Sequence, residues 1–142
     1  MVQVRDDGVF DAPIDKIWKY LQDETPGVHS HRSIVGTKTI EEKGNALVQE
    51  MQMRNPDGKT TRKETWRFTF NPPTGFEMES LGGASKGTRY SHRYTPLGNK
   101  TRVDVEGDFR LQGMDESQTR KAALGFLSEL FEEDNRSLRN YK

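Results

Sequence analysis

The chain has 142 residues, with 22 lysines and arginines against 22 aspartates and glutamates, so its formal charge is zero and no net field favours nucleic acid or an anionic membrane. It has no cysteine, which excludes disulfides, thiolate metal sites and cysteine nucleophiles. Only 31% of the residues are hydrophobic, so one domain spanning 1–142 is expected, with nearly every large apolar side chain inside.

The segment from Met1 to Gly8 carries Arg5, Asp6 and Asp7 and lacks the apolar core of a signal peptide, and no later stretch is long and apolar enough for a membrane span. A cytoplasmic protein is expected. Val2 to Phe10 reads as a strand, with Asp6-Asp7-Gly8 predicting a bulge or interruption in it. Asp11-Ala12-Pro13 is a helix start, and Ile14, Ile17, Trp18 and Leu21 form the apolar stripe of a short helix. Thr25-Pro26-Gly27 breaks that helix. Val28 to Arg32, with His29 and His31, is either a second short helix or a loop leading into sheet.

From Ser33 the punctuation is that of an antiparallel meander. Turns are expected at Lys43-Gly44-Asn45, Asn55-Pro56-Asp57-Gly58, Asn71-Pro72-Pro73-Thr74-Gly75, Gly82-Gly83 and Pro96-Leu97-Gly98-Asn99, and the last run extends from Thr101 to Gln112. Strand side chains alternate between faces. Trp66, Phe68 and Phe70 therefore share one side of their strand, Phe76 and Met78 oppose Glu77 and Glu79, and Val103, Val105 and Phe109 oppose Arg102, Asp104, Asp108 and Arg110. One side of the sheet is apolar and must be covered. The cover is the segment Met114 to Tyr141, where Ala123, Leu127, Leu130, Phe131, Leu138 and Tyr141 recur at helical spacing. Asp115 with Gln118 forms a capping-box pattern at its start. Glu129, Glu132, Glu133 and Arg136 fall on the far side, which is expected to face water.

This order of a strand, short helices, about six further strands and a long last helix resembles the helix-grip fold of the START and polyketide-cyclase-like superfamily (SRPBCC), which includes the birch-pollen allergens. The local carriers are Val9-Phe10-Asp11-Ala12-Pro13-Ile14-Asp15-Lys16-Ile17-Trp18, the Pro72-Pro73 turn and Gly98-Asn99-Lys100-Thr101-Arg102-Val103. The resemblance implies an α+β fold, with a curved antiparallel sheet of about seven strands wrapped around the C-terminal helix and one or two short helices after the first strand. It also implies an apolar cavity between sheet and helix that takes lipids, sterols, polyketides or other hydrophobic molecules. A minority of the superfamily are cyclases or dehydratases, and others act through protein partners.

Trp66, Phe68, Met78, Tyr90, His92, Tyr94, Phe109, Leu127, Leu130 and Phe131 are the expected ligand-binding residues. Alternation puts Tyr90, His92 and Tyr94 on one face. On the inner side, a histidine flanked by phenols either orients a polar group of an apolar ligand, moves a proton, or is satisfied internally with no ligand. His29 and His31 share a face only if extended, and neither a carboxylate nor a thiolate accompanies them at ligand spacing. A solvated loop at the cavity entrance is expected there, with no metal and no cofactor. Gly82 to Thr88 departs from a phosphate-loop pattern and reads as a hairpin turn. Arg62 and Glu64 alternate with Trp66, as a buried or rim ion pair or as a strand-end pair facing water. The basic run Lys86, Arg89, Arg93, Lys100 and Arg102 and the acidic run Glu129 to Asp134 are either solvated faces or a protein contact, including a homodimer. The leading expectation is binding of a small hydrophobic molecule, without nucleic acid or a membrane span. A polyketide cyclase/dehydratase-like enzyme and an interaction module with a filled core are the alternatives.

Overall fold

The computed structural model describes residues 2–23, 25, 28–29, 31–55 and 57–141. In chain order the elements are β1 (Val2–Phe10), α1 (Ile14–Gln22), β2 (Ile34–Lys43), β3 (Ala46–Arg54), β4 (Thr61–Asn71), β5 (Gly75–Gly82), β6 (Arg89–Leu97), β7 (Lys100–Phe109) and α2 (Glu116–Asn140). The strands form one antiparallel sheet in the order β1-β7-β6-β5-β4-β3-β2. Strands β1 and β2, neighbours in sequence, thus lie at opposite edges, and the chain between them, including α1, crosses from one edge to the other.

Several local features account for this path. Pro13 stands at the N-cap of α1, where its missing N–H has no intrahelical partner to lose, and its carbonyl accepts from Ile17 N at 3.2 Å. Thr101, fully buried, donates from Oγ1 to Ala12 O at 2.8 Å and ties the start of α1 to β7. Trp18 then sets its ring edge-on to Tyr94 at 5.8 Å and donates from Nε1 to Pro73 O at 3.2 Å. With Ile17 and Tyr20 buried beside it, this end of the core is solid. At the other end of the chain Asp115 caps α2: its side chain accepts from Gln118 N at 2.8 Å, and its own N–H donates to Gln118 Oε1 at 3.0 Å.

Two local expectations change, and one open alternative is decided. β1 is unbroken, and all nine residues pair in register with β7, so Asp6-Asp7-Gly8 makes no bulge. β6 runs through Pro96 and Leu97, leaving Gly98 and Asn99 as the turn. Among the described residues of 28–33 there is no second helix: Val28 and His29 form a bend, and His31 bridges to Ile34. The expected break at Pro26-Gly27 and Pro56 of the 55–58 turn lie outside the described residues.

Sheet curvature brings strands into close approach, and Gly107 marks one such point. A Cβ there would stand 2.3 Å from Arg89 O and 2.4 Å from Tyr90 Cα, whereas a Cβ on Gly36 would meet nothing within 4 Å. Backbone atoms cannot give way as a flexible side chain can. Gly107→Ala is therefore expected to lower stability by about 3 kcal/mol, and Gly36→Ala to change it by less than about 0.5 kcal/mol, measured by urea unfolding.

Candidate functional site

Helix α2 packs against β1 and β7. Its buried residues are Thr119, Ala123, Leu127 and Leu138, and between these the half-buried Leu130 and Phe131 face open space. Between α2 and strands β3 to β6 lies a cavity of about 980 Å³. On the sheet side it is lined by aromatic and methionine side chains, with Met51 and Met53 from β3, Trp66, Phe68 and Phe70 from β4, and Phe76 and Met78 from β5, while polar residues such as Asp23, His29, His31, Thr37, Thr39 and Glu42 border it elsewhere.

Of the ten expected ligand-binding residues, Trp66, Phe68, Met78, Tyr90, His92, Leu127, Leu130 and Phe131 line this cavity. Tyr94 and Phe109 are buried but do not line it. Tyr94 packs on Trp18 and Phe76, and Phe109 stacks on Tyr90 at 5.0 Å, behind the wall. Sequence reasoning missed the contribution of β3. Leu47, Gln49, Met51 and Met53 all line the cavity, and their period-two spacing was the available signal.

His92 is the most informative polar group on the wall. Its ring stacks on Phe76 with centroids 4.3 Å apart, and its buried Nδ1 has no hydrogen-bond partner among the described residues. Burial away from water, opposed only by the Asp134 charge, brings its pKa down to about 4, so at neutral pH the imidazole is uncharged. Neither a phenol nor a carbonyl satisfies it internally. Burial also pushes the Tyr90 phenol upward, with the Glu64 charge adding to the shift.

The mouth of the cavity departs from the solvated loop expected for His29 and His31. His31 sits between two carboxylates of α2, with Nδ1 3.0 Å from Glu133 Oε1 and Nε2 3.3 Å from Asp134 Oδ1. Arg32 donates from its backbone N–H to Glu133 at 3.0 Å and from Nη2 to Glu129 at 2.8 Å, and Ser33 Oγ donates to Glu129. Tyr20 Oη donates to Asp134 at 2.7 Å. Glu129 and Glu133 are therefore tied to residues 31–33, while Glu132 and Arg136 face water as expected. Among the described residues, no group of three or more metal-ligating side chains is assembled for a metal ion.

Glu64 is 3% exposed and belongs to a closed network, which decides against a pair facing water. Arg62 Nε reaches its Oε2 at 2.7 Å, and Trp66 Nε1 and Ser85 Oγ donate to its Oε1 at 3.0 and 2.7 Å. The carboxylate thereby fixes the Trp66 ring and pins the turn between β5 and β6. The basic run is engaged within the chain at Arg89 with Glu79, Lys100 with Asp11, and Arg102 with Asp7 and Asp104.

A family model described as polyketide cyclase / dehydrase and lipid transport matches residues 1–141. No curated protein sequence matches the chain. Among solved structures, the chain is similar to the di-domain ARO/CYC StfQ from the steffimycin biosynthetic pathway, at 14% identity and a TM-score of 0.76 over 99% of this chain. It spans half of that protein, 50% of its chain. It is similar to the Zhui aromatase/cyclase from Streptomyces sp. R1128 (13% identity, TM-score 0.71, 96% of this chain and 90% of that one). It is also similar to Ara h 8.0201 (11% identity, TM-score 0.75, 97% of each chain). At these identities the likeness is one of fold. Among the described residues, no helix is long and apolar enough to cross a membrane.

Two of the histidines lining the cavity, His31 and His92, respond to pH in opposite senses. Burial alone would lower the His31 pKa, but Asp134 and Glu133 outweigh it and hold the pKa above the ordinary 6.5. The stabilisation from His31 is complete below pH 6.5 and is lost as pH rises through the folded-state pKa. His92 resists protonation down to about pH 4, so its stabilisation is complete above 6.5 and is lost as pH falls towards 4. His31→Gln is expected to flatten the alkaline fall in stability, and His92→Phe the acid fall, in urea midpoints measured from pH 4 to 8.5. Wild-type pH dependence in either variant would contradict its assignment.

Proposed function

The chain belongs to the polyketide cyclase/dehydrase and lipid-transport family, and from that premise we propose that it binds a small hydrophobic molecule in the cavity between the sheet and α2. The observation that carries this reading is the cavity of about 980 Å³ beside side chains large enough to fill much of it. Protein interiors normally close-pack, and an open space of this size falls within the range of ligand sites. The open core weighs against an interaction module with a filled core. The phenylalanine, tryptophan and methionine side chains offer a wall for non-directional apolar burial. A ligand burying about 300 Å² of apolar surface gains roughly 7 kcal/mol before the cost of association. His92 adds one uncharged hydrogen-bonding atom to that wall.

The unpartnered Nδ1 of His92 also supports a second reading, turnover of the bound molecule with His92 as acid–base group. A neutral imidazole accepts a proton first and returns it later. Turnover that stops in His92→Phe while binding persists would establish this reading.

The binding reading is tested with the neutral fluorophore N-phenyl-1-naphthylamine. The expected result is saturable 1:1 enhancement of its emission, and loss of that enhancement in Leu130→Trp, where the indole extends into the open space. Because that space is empty, Leu130→Trp is expected to stay folded. Absence of saturable enhancement in the wild-type protein would contradict the proposal.

A further inference from the structure

On its inner face strand β1 carries two residues that strands disfavour, Asp6 and Gly8. β1 pairs Val4 with Gly107, Asp6 with Val105, Gly8 with Val103 and Phe10 with Thr101, and Val4, Phe10, Val103 and Val105 are buried. Gly8 is explained by packing, since a Cβ there would stand 2.6 Å from Phe131 Cζ. Asp6 has no such explanation. It is half-buried and lines the cavity. Among the described residues it forms no ion pair, and its carboxylate accepts only the neighbouring Asp7 N–H at 2.9 Å. Asp7 also borders the cavity, but its carboxylate is paired with Arg102 at 3.2 Å.

The register places Asp6 in one row with His92, whose Nδ1 has no hydrogen-bond partner among the described residues. Asp6 pairs with Val105, Val105 with His92, and His92 with Phe76. Two inter-strand steps therefore separate Asp6 from His92, roughly 10 Å along the sheet. Among the described residues lining the cavity there is no lysine or arginine, while Asp7, Asp23, Glu42 and Asp134 add further carboxylates. An anionic ligand would meet like charge, and the one cation-forming side chain there with a raised pKa, His31, is already held between Glu133 and Asp134, whereas a half-buried carboxylate without a counter-ion is improved by one.

Resting on the binding reading above, we propose that the ligand is a hydrophobic amine, its protonated nitrogen received by Asp6 and its apolar body lying along Val105 and the aromatic wall. Specificity then lies in the sign of the ligand's charge, and affinity in its apolar body.

The test is displacement of N-phenyl-1-naphthylamine at pH 7 by dodecylamine, dodecanol and dodecanoate below their micellar concentrations. The wild-type protein is expected to rank them amine, alcohol, carboxylate, with at least about a tenfold gap between amine and carboxylate, equivalent to about one unit in log affinity. Asp6→Asn is expected to bring the amine to the level of the alcohol and leave the alcohol unchanged, which also reports that the variant is folded. Asp104→Asn makes the same charge change on the outer face of the sheet, away from the cavity lining, and should not alter the ranking. Dodecanoate binding as well as dodecylamine, or an amine affinity unchanged in Asp6→Asn, would overturn the amine assignment while leaving the binding reading in place. Failure of the fluorophore and all three probes to bind would overturn both.

Discussion

A helix about 10 Å across cannot cover the inner face of seven strands spaced roughly 4.8 Å apart. Everything else in this structure follows from how that mismatch is resolved. Helix α2 lies close against β1 and β7, and the short α1 fills one end through Ile17, Trp18 and Tyr20. The inner faces of β3 to β5 are left facing α2 across open space. A domain built only for stability would close that gap with bulky side chains or a flatter sheet. Here the aromatic and methionine side chains stand along the wall and leave the middle empty.

Keeping such a space requires that its rim not collapse. The acidic end of α2 supplies that restraint. Glu129, Glu133 and Asp134 hold Arg32, Ser33 and His31 on one side, and Asp134 receives the Tyr20 hydroxyl on the other. These contacts join α2 to α1 and to the segment entering β2, the two parts of the chain that cross the mouth. On the opposite side the Glu64 network with Arg62, Trp66 and Ser85 holds the wall by a buried carboxylate whose oxygens are both engaged. Polar chemistry is thus used mainly to fix position. On the inner face of the sheet, among the described residues, His92 Nδ1 has no hydrogen-bond partner and Asp6 has no counter-ion.

The fold was legible because its signals are local. The Asp115–Gln118 capping box, the alternation through Trp66 and Phe68, and the helical spacing of Ala123, Leu127 and Leu138 each lie within a few residues of chain. The site was legible only as far as alternation reaches, which is why β4 and β6 residues were found and the β3 face was overlooked. Period two places Tyr94 and Phe109 on the correct face but does not say how far along the strand the cavity extends, and both lie beyond it. The rim was not legible at all. His31 meets Glu133 and Asp134 across 102 and 103 residues, and a helix face that looks solvated by periodicity becomes a binding surface for another segment of the chain. Asp6 and Gly8 were misread for a related reason. Poor strand formers within a strand suggest a bulge, whereas here each answers a neighbour or a vacancy on the inner face.

The central claim is that apolar space persists between α2 and the sheet. Xenon reports such space without requiring knowledge of the ligand, because it enters apolar cavities by dispersion alone. Crystals of the protein pressurised with xenon are predicted to show anomalous density bounded by Met51, Phe68, Met78, Leu127 and Leu130. Absence of xenon there, with the side chains of α2 in contact with those of β3 to β5, would contradict the account.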